Sequence, residues 1–171
     1  MKQIKVFLVG FMGSGKSASG VLLAQKTGYT HLDTDRLIEE KEGRKIAEIF
    51  ASDGEDAFRL MERQVLKEIV QMKGNYIVST GGGMPCILDH MALMKENGVA
   101  IYLRCTEEVL MQRLAKSKNK RPLLTTSNPE ETIRRKLEER KRIYEQAQIT
   151  VNADAPLPEM VEEILQKIQK L

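Results

Sequence analysis

Short runs of apolar residues alternate along the chain with longer segments in which apolar residues recur every three or four positions. The short runs have the composition of buried β-strands and cover residues 4–9, 29–32, 76–79, 99–103 and 149–152. The longer segments have the period of amphipathic helices and cover residues 17–27, 34–42, 46–52, 55–72, 87–96, 106–116, 130–146 and 157–170. This alternation predicts a parallel sheet covered by helices on both faces.

The length of the chain favours one domain over residues 1–171, because 171 residues leave little room for a second core. We therefore predict a three-layer α/β fold with a five-stranded parallel sheet, which binds its ligands at the carboxyl ends of the strands. Residues 117–129 interrupt the pattern with a polar, basic, proline-containing stretch. A solvated surface loop would explain it, but Arg121 beside Pro122-Leu123-Leu124 favours a mobile lid that carries a cation to a ligand.

Composition narrows the class of protein. The 27 basic and 24 acidic residues give a net charge of +3, which suits an anionic small substrate and does not require nucleic acid. Cys86 and Cys105 lie outside any CxxC pair, which is typical of a reduced intracellular protein. The apolar run at 4–9 is too short for a signal-peptide core or a membrane span. We expect a cytoplasmic monomer without nucleic-acid or membrane partners.

The residues from Gly10 to Ser17 satisfy the phosphate-loop pattern GxxxxGK[ST], directly after a predicted strand and before a predicted helix. In such a loop main-chain N–H groups and the helix N-terminus bind phosphate oxygens. The lysine, Lys16, reaches the β- and γ-phosphates, and the hydroxyl of Ser17 coordinates Mg²⁺. The motif predicts that ATP and Mg²⁺ bind at Gly13, Ser14, Gly15, Lys16 and Ser17.

The rest of the chain restricts the reaction. A GTPase would need an Asn-Lys-x-Asp segment, whereas Asn119-Lys120 is followed by Arg121 and Pro122. A motor ATPase would normally need a longer chain. The small size therefore favours a kinase that phosphorylates a small molecule.

Two pairs of charged residues are candidates for the acceptor side of such a site. Asp33 and Asp35 follow the second strand, where Asp35 could take or orient a hydroxyl proton and Asp33 could hold Mg²⁺ through water. Either aspartate could instead cap the next helix. Arg59 and Glu62 lie three residues apart on a helix, so Glu62 could orient Arg59 toward a carboxylate. An exposed ion pair of little importance is the alternative.

Two further features follow the third strand and the predicted lid. Gly81, Gly82 and Gly83 would expose main-chain amides and allow a ligand to approach closely. Arg140 could give a second cation for the same carboxylate, although several other basic residues on its helix must be solvated.

Together these motifs resemble the shikimate kinase family, from the phosphate loop to the last strand. The resemblance implies transfer of the γ-phosphoryl group of MgATP to the 3-hydroxyl of shikimate, in aromatic amino acid biosynthesis. It implies that Asp35 binds and deprotonates or orients this hydroxyl, and that Arg59, supported by Glu62, binds the substrate carboxylate. Gly82, flanked by Gly81 and Gly83, and Arg140 would complete the acceptor site.

The resemblance also assigns residues to the nucleotide. It implies that Arg121 reaches ATP from the lid and acts in catalysis with Lys16 and Asp35. Arg113 stands where the family places an arginine over the adenine, and Ala155 lies in the loop that borders this base. Ala18 follows Ser17 at a position where the family often has Thr, and it too is expected among the nucleotide-binding residues.

Two other hypotheses stay open at this stage. The first is another small-molecule kinase of the P-loop class, acting on gluconate or a nucleotide, which Arg59 and the three glycines disfavour because they suit a small carboxylate. The second is a regulator that binds ATP or nucleic acid through its basic segments without needing Asp35; its DNA binding would weaken steeply with salt.

Overall fold

The computed structural model describes residues 3–116 and 128–170. Its strands are β1 (Lys5–Val9), β2 (Thr30–Asp33), β3 (Tyr76–Ser79), β4 (Val99–Arg104) and β5 (Ile149–Asn152). They form one parallel sheet in the order β2-β3-β1-β4-β5, in which Val6 of β1 lies opposite Ile77 of β3 and Val99 of β4. All five strands therefore end at the same edge of the sheet.

Helices flank this sheet and connect its strands. They are α1 (Lys16–Thr27), α2 (Thr34–Glu42), α3 (Ile46–Gln71), α4 (His90–Asn97), α5 (Glu107–Lys116), α6 (Pro129–Tyr144) and α7 (Leu157–Ile168), with a short 3₁₀ turn at Met84–Cys86. α1 packs on β3 and α7, and α4 packs on β4 and α3. The predicted fold is confirmed.

The core lies where the apolar runs place it. Every residue of β1 is buried, as expected for a central strand covered on both faces. Among the described residues, no helix is long and apolar enough to cross a membrane.

The predicted helices at 46–52 and 55–72 are one element, α3, with a break in its backbone. Gly54 at the break has φ 83° and ψ 176°, outside the helical region. A left-handed φ is strained for most residues but not for glycine. The break separates the first two turns of α3 from the part that carries Arg59 and Glu62.

The predicted lid at 117–129 lies mostly outside the described residues, as does Arg121. Its last two residues belong to the start of α6: Asn128 caps the helix by accepting a hydrogen bond from Glu131 N, and Pro129 is its first residue. Proline suits this position because the first N–H of a helix has no partner within it.

Candidate active site

The phosphate loop connects β1 to α1. Gly13 and Gly15 have positive φ angles of 83° and 92°, and Gly15 is the residue from which α1 begins. Side chains with a Cβ are disfavoured in this region, so the loop conformation depends on these glycines. Lys16 Nζ donates to the carbonyl oxygens of Gly10 at 2.8 Å and Phe11 at 2.9 Å. The ammonium group thus lies against the loop whose phosphate ligand it is expected to bind.

Ser14 helps to fix the conformation of this loop. Its side chain is buried, and a Cβ at Gly10 would lie 3.0 Å from Ser14 Oγ. Its N–H donates to Phe11 O at 3.2 Å, which closes a turn in the loop.

Asp33, at the end of β2, caps α2, which is one of the two roles that the sequence left open, and it also contacts the phosphate loop's serine. Its Oδ1 accepts hydrogen bonds from the N–H groups of Asp35 and Arg36 and so caps α2. Its Oδ2 accepts from Ser17 Oγ at 2.7 Å. The Ser17 hydroxyl and an Asp33 carboxylate oxygen therefore lie side by side at the start of α1. Mg²⁺ prefers hard oxygen ligands of this kind.

The three glycines lie between the functional side chains. A Cβ at Gly81 would lie 2.5 Å from Asp35 Oδ1, and one at Gly83 would lie 2.7 Å from Arg59 Nη1. At Gly82 the nearest atom would be Met12 N, at 3.4 Å, in the phosphate loop. Real Cβ atoms do not approach other atoms as closely as 2.5–2.7 Å, so Asp35 and Arg59 can occupy these positions only beside glycine.

The guanidinium group of Arg59 is held between two carboxylates of α3. Nη1 donates to Glu62 at 2.7 Å, and Nη2 and Nε donate to Glu55 at 2.7 Å and 3.2 Å. Glu62 is only 1% exposed, whereas the Glu55 side chain is 63% exposed. The pair of Arg59 and Glu62 is therefore not the exposed, unimportant ion pair that the sequence left open. Its Glu62 partner is buried and restricts the orientation of Arg59.

Burial disfavours the charged form of the Glu62 carboxylate. It raises the pKa of Glu62 to about 7, against the opposing effect of its hydrogen bond with Arg59, and the nearby Asp35 raises the pKa further. The acceptor side of the site therefore contains an acid that titrates close to neutral pH.

Arg140 lies on α6 above the phosphate loop. Its guanidinium carbon is 5.7 Å from the centre of the Phe11 ring, and its Nη1 would be 3.8 Å from a Cβ at Gly82. Arg140 and Arg59 therefore approach neighbouring glycines of the same segment from different helices.

Arg113 connects the phosphate loop to the loop after β5. Its Nη1 donates to Gly13 O at 3.3 Å and its Nη2 donates to Ala153 O at 2.8 Å. Ala155 is half-buried two residues further along. Cys105 lies beside Arg113, and burial raises the pKa of its thiol to about 12, so it is not a nucleophile at neutral pH.

One open cavity of about 1320 Å³ joins the phosphate loop to the acceptor residues. A typical ligand pocket measures about 300–1,000 Å³, so the cavity has room for two ligands. Its walls include Gly13, Gly15, Lys16, Ser17, Ala18, Asp33, Asp35, Arg59, Gly81, Gly82, Gly83 and Arg140. Ser14, Arg113 and Ala155 do not border it. Most of the residues predicted separately for the nucleotide and the acceptor thus share one space.

Comparison with known proteins agrees with this geometry. A family model described as shikimate kinase matches residues 12–169. The chain belongs to the shikimate kinase family. A shikimate kinase from Sulfurihydrogenibium sp. (strain YO3AOP1) is 47% identical over 166 residues, which cover 96% of this chain and 98% of that protein.

Solved structures give the same result. A shikimate kinase from Acinetobacter baumannii in complex with shikimate matches with a TM-score of 0.92 at 35% identity, covering 99% of this chain and 94% of that one. A gluconokinase from Sinorhizobium meliloti has a TM-score of 0.64 at 19% identity, covering 99% of this chain and 94% of that one, and shares the fold. The predictions of a shikimate kinase and an ATP-dependent phosphotransferase are therefore confirmed.

Several residues of the site had no role in the sequence-based prediction. Glu55 could have been found, because it lies one turn before Arg59 on the same helix. Ser79 could not: its hydroxyl donates to Lys16 O at 2.9 Å and contacts His31 Nε2 at 2.9 Å, across strands that the sequence does not align. Burial lowers the pKa of His31, so its ring is neutral at physiological pH.

Proposed function

We propose that this protein transfers the γ-phosphoryl group of ATP to the 3-hydroxyl of shikimate and releases shikimate 3-phosphate and ADP. The observation that carries this assignment is the shared cavity, in which a phosphate loop, a carboxylate and a held arginine converge. A kinase of this type needs little covalent chemistry from the protein. Its main tasks are to position two ligands and to stabilise the negative charge on the transferred group.

On the nucleotide side, main-chain amides of the phosphate loop and the N-terminus of α1 bind the phosphates. Lys16 exchanges its hydrogen bonds with Gly10 and Phe11 for phosphate oxygens when ATP arrives. Ser17 would bind Mg²⁺ directly and Asp33 would bind it through water, which fits a cation that keeps most of its water. When bound, Mg²⁺ neutralises charge on the β- and γ-phosphates. Arg113 and Ala155 would border the adenine.

On the acceptor side, Arg59 binds the substrate carboxylate with two parallel hydrogen bonds, and Arg140 adds a second positive charge. Glu55 occupies the Nε and Nη2 atoms of Arg59 in the structure, and its exposed carboxylate moves aside when the substrate carboxylate binds. Asp35 then accepts a hydrogen bond from the 3-hydroxyl and takes or orients its proton. The amides of the glycine segment complete the contacts.

The predicted lid, most of which lies outside the described residues, has a part in the proposed reaction. Arg121 would add positive charge next to the γ-phosphate once both ligands are bound, and closure would exclude water from the reaction. We also propose that the protein works as a cytoplasmic monomer, with its single domain containing the whole site.

The proposal is tested by measuring ADP release from MgATP with shikimate, gluconate and nucleoside monophosphates as acceptors. We expect release that depends on shikimate and that falls by at least 10²-fold when Asp35 is replaced by Asn. Gluconate- or nucleotide-dependent release without a response to shikimate would contradict the assignment. An equal rate without any acceptor would indicate an ATPase.

A further inference from the structure

The triple-glycine segment, residues 81–83, has no side chains with which to fix its own conformation. Glycine also has more backbone freedom than any other residue. The segment nevertheless lies so near Asp35 and Arg59 that a Cβ at Gly81 or Gly83 would clash with one or the other, so its main chain must be held in place. Something outside the segment must therefore hold its main chain.

Two buried hydroxyl groups make the required contacts. Thr34 Oγ1 accepts a hydrogen bond from Gly81 N at 2.9 Å, across 47 residues of sequence. Tyr144 donates its hydroxyl to Gly82 O at 2.6 Å from the end of α6. Both side chains are 0% exposed, so neither bond competes with water.

The two hydroxyls belong to elements that carry acceptor residues. Thr34 lies between Asp33 and Asp35, and Tyr144 lies one turn after Arg140 on α6. The segment is therefore attached on one side to the turn with the predicted base and on the other to the helix with the second arginine.

The remaining main-chain groups of the segment show what these bonds leave for a ligand. Gly81 O accepts from Met84 N at 3.1 Å, and Gly83 O accepts from Cys86 N at 3.0 Å. With Gly81 N and Gly82 O engaged by the two hydroxyls, the N–H groups of Gly82 and Gly83 have no partner within residues 3–116 and 128–170.

We propose that Thr34 and Tyr144 are positioning residues of the acceptor site, which fix the triple-glycine segment so that the Gly82 and Gly83 amides face the acceptor. The inference rests on the proposed function, because it takes this segment as the place where the acceptor binds. It predicts that loss of either hydroxyl weakens binding of the acceptor and leaves binding of ATP unchanged.

The first test replaces Thr34 with Val, which keeps the shape of threonine but cannot accept a hydrogen bond. A buried N–H is then left without a partner, and we expect the KM for shikimate to rise roughly tenfold. The KM for ATP should stay within about twofold. Thr34→Ser restores the hydroxyl and should return the shikimate KM to within about threefold of wild type.

A second variant covers the case in which Thr34→Val does not fold. Tyr144→Phe keeps the ring that stacks on Tyr102 at 5.3 Å and removes the hydroxyl, which donates to Gly82 O and also interacts with Arg140 and Cys86. We expect the same selective rise in the shikimate KM. Two controls lose an equivalent hydroxyl elsewhere: Thr27→Val, where Thr27 accepts from Tyr29 N, and Tyr76→Phe, where Tyr76 donates to Lys73 O. Both should keep wild-type KM values.

A direct readout does not depend on the acceptor. With ¹⁵N-glycine labelling, the 12 glycines give a simple amide spectrum, in which Gly81 should exchange slowly with solvent in wild type and faster in Thr34→Val. Unchanged exchange overturns the proposal. So does a folded Thr34→Val variant whose shikimate KM is unchanged, rises together with the ATP KM, or is not rescued by Ser.

The two readouts separate this inference from the proposed function. If wild type releases no ADP in response to shikimate, the proposed function fails. The positioning of the segment is then decided by the exchange of Gly81 alone: faster exchange in Thr34→Val supports it, and equal exchange overturns it.

Discussion

Replacement of Arg59 by Lys isolates the geometry of the predicted carboxylate site from its charge. The guanidinium group makes three hydrogen bonds, with Nη1 to Glu62 and with Nη2 and Nε to Glu55. An ammonium group is a single point charge and cannot reproduce this planar arrangement. Lysine would keep the positive charge but lose one of the two parallel bonds to the substrate carboxylate.

The expected size follows from that single loss. A hydrogen bond to a charged group contributes about 1.5–3 kcal/mol, which corresponds to a rise of roughly 10–150-fold in the KM for shikimate. None of these bonds involves the phosphate loop. We therefore expect kcat and the KM for ATP to change by less than about threefold. Uniform loss of binding to substrate and transition state has this signature.

The assay is the initial rate of ADP release at saturating MgATP with shikimate varied. Arg63→Lys is the matched control. Arg63 lies one turn further along α3, and its ion pair with Asp89 is long, at 3.9 Å. A shikimate KM within threefold of wild type in Arg59→Lys would refute the carboxylate role. An equal rise in the KM for ATP would indicate a general distortion instead.

Three other predictions test separate parts of the site. Because the folded protein binds the Glu62 proton more tightly than the unfolded chain, with a pKa of about 7 against 4.5, the free energy of unfolding should fall by about 2–3 kcal/mol between pH 5 and pH 8. Urea titrations should show this fall in wild type but not in Glu62→Gln; equal pH profiles would contradict the raised pKa. Ser17→Ala should raise the Mg²⁺ concentration for half-maximal activity about tenfold, measured by Mg²⁺ titration, and an unchanged titration would exclude Ser17 as a ligand. Arg121→Ala should lower kcat about 10²–10³-fold relative to Lys120→Ala, and turnover within twofold of wild type would disprove its role.

The sequence predicted the fold well because its signals are local. The five strands appear within one or two residues of the predicted bounds, since each is a short apolar run between turn signals. The break in α3 at Gly54 lies between two helices that the sequence separated at residues 53–54. The phosphate loop was predictable for the same reason, as its motif, strand and helix are contiguous.

The hydrogen bonds that hold the site in place were not predictable from the sequence, because they join distant segments. Thr34, Ser79 and Tyr144 bond to main-chain atoms 47, 63 and 62 residues away. Hydroxyl side chains in these positions carry no pattern that names a partner. The dual role of Asp33 was also undecidable from sequence, since capping α2 and bonding to Ser17 both suit an aspartate after a strand.

The proposed reaction requires the acceptor alcohol to meet the terminal phosphate between the phosphate loop and the pair Asp35 and Arg59. A crystal structure with shikimate and a non-hydrolysable ATP analogue tests this most directly. We predict Asp35 within hydrogen-bond distance of the 3-hydroxyl, Arg59 paired with the carboxylate, and that hydroxyl facing the γ-phosphate. Shikimate bound away from Asp35 and Arg59, or a γ-phosphate far from both, would contradict it.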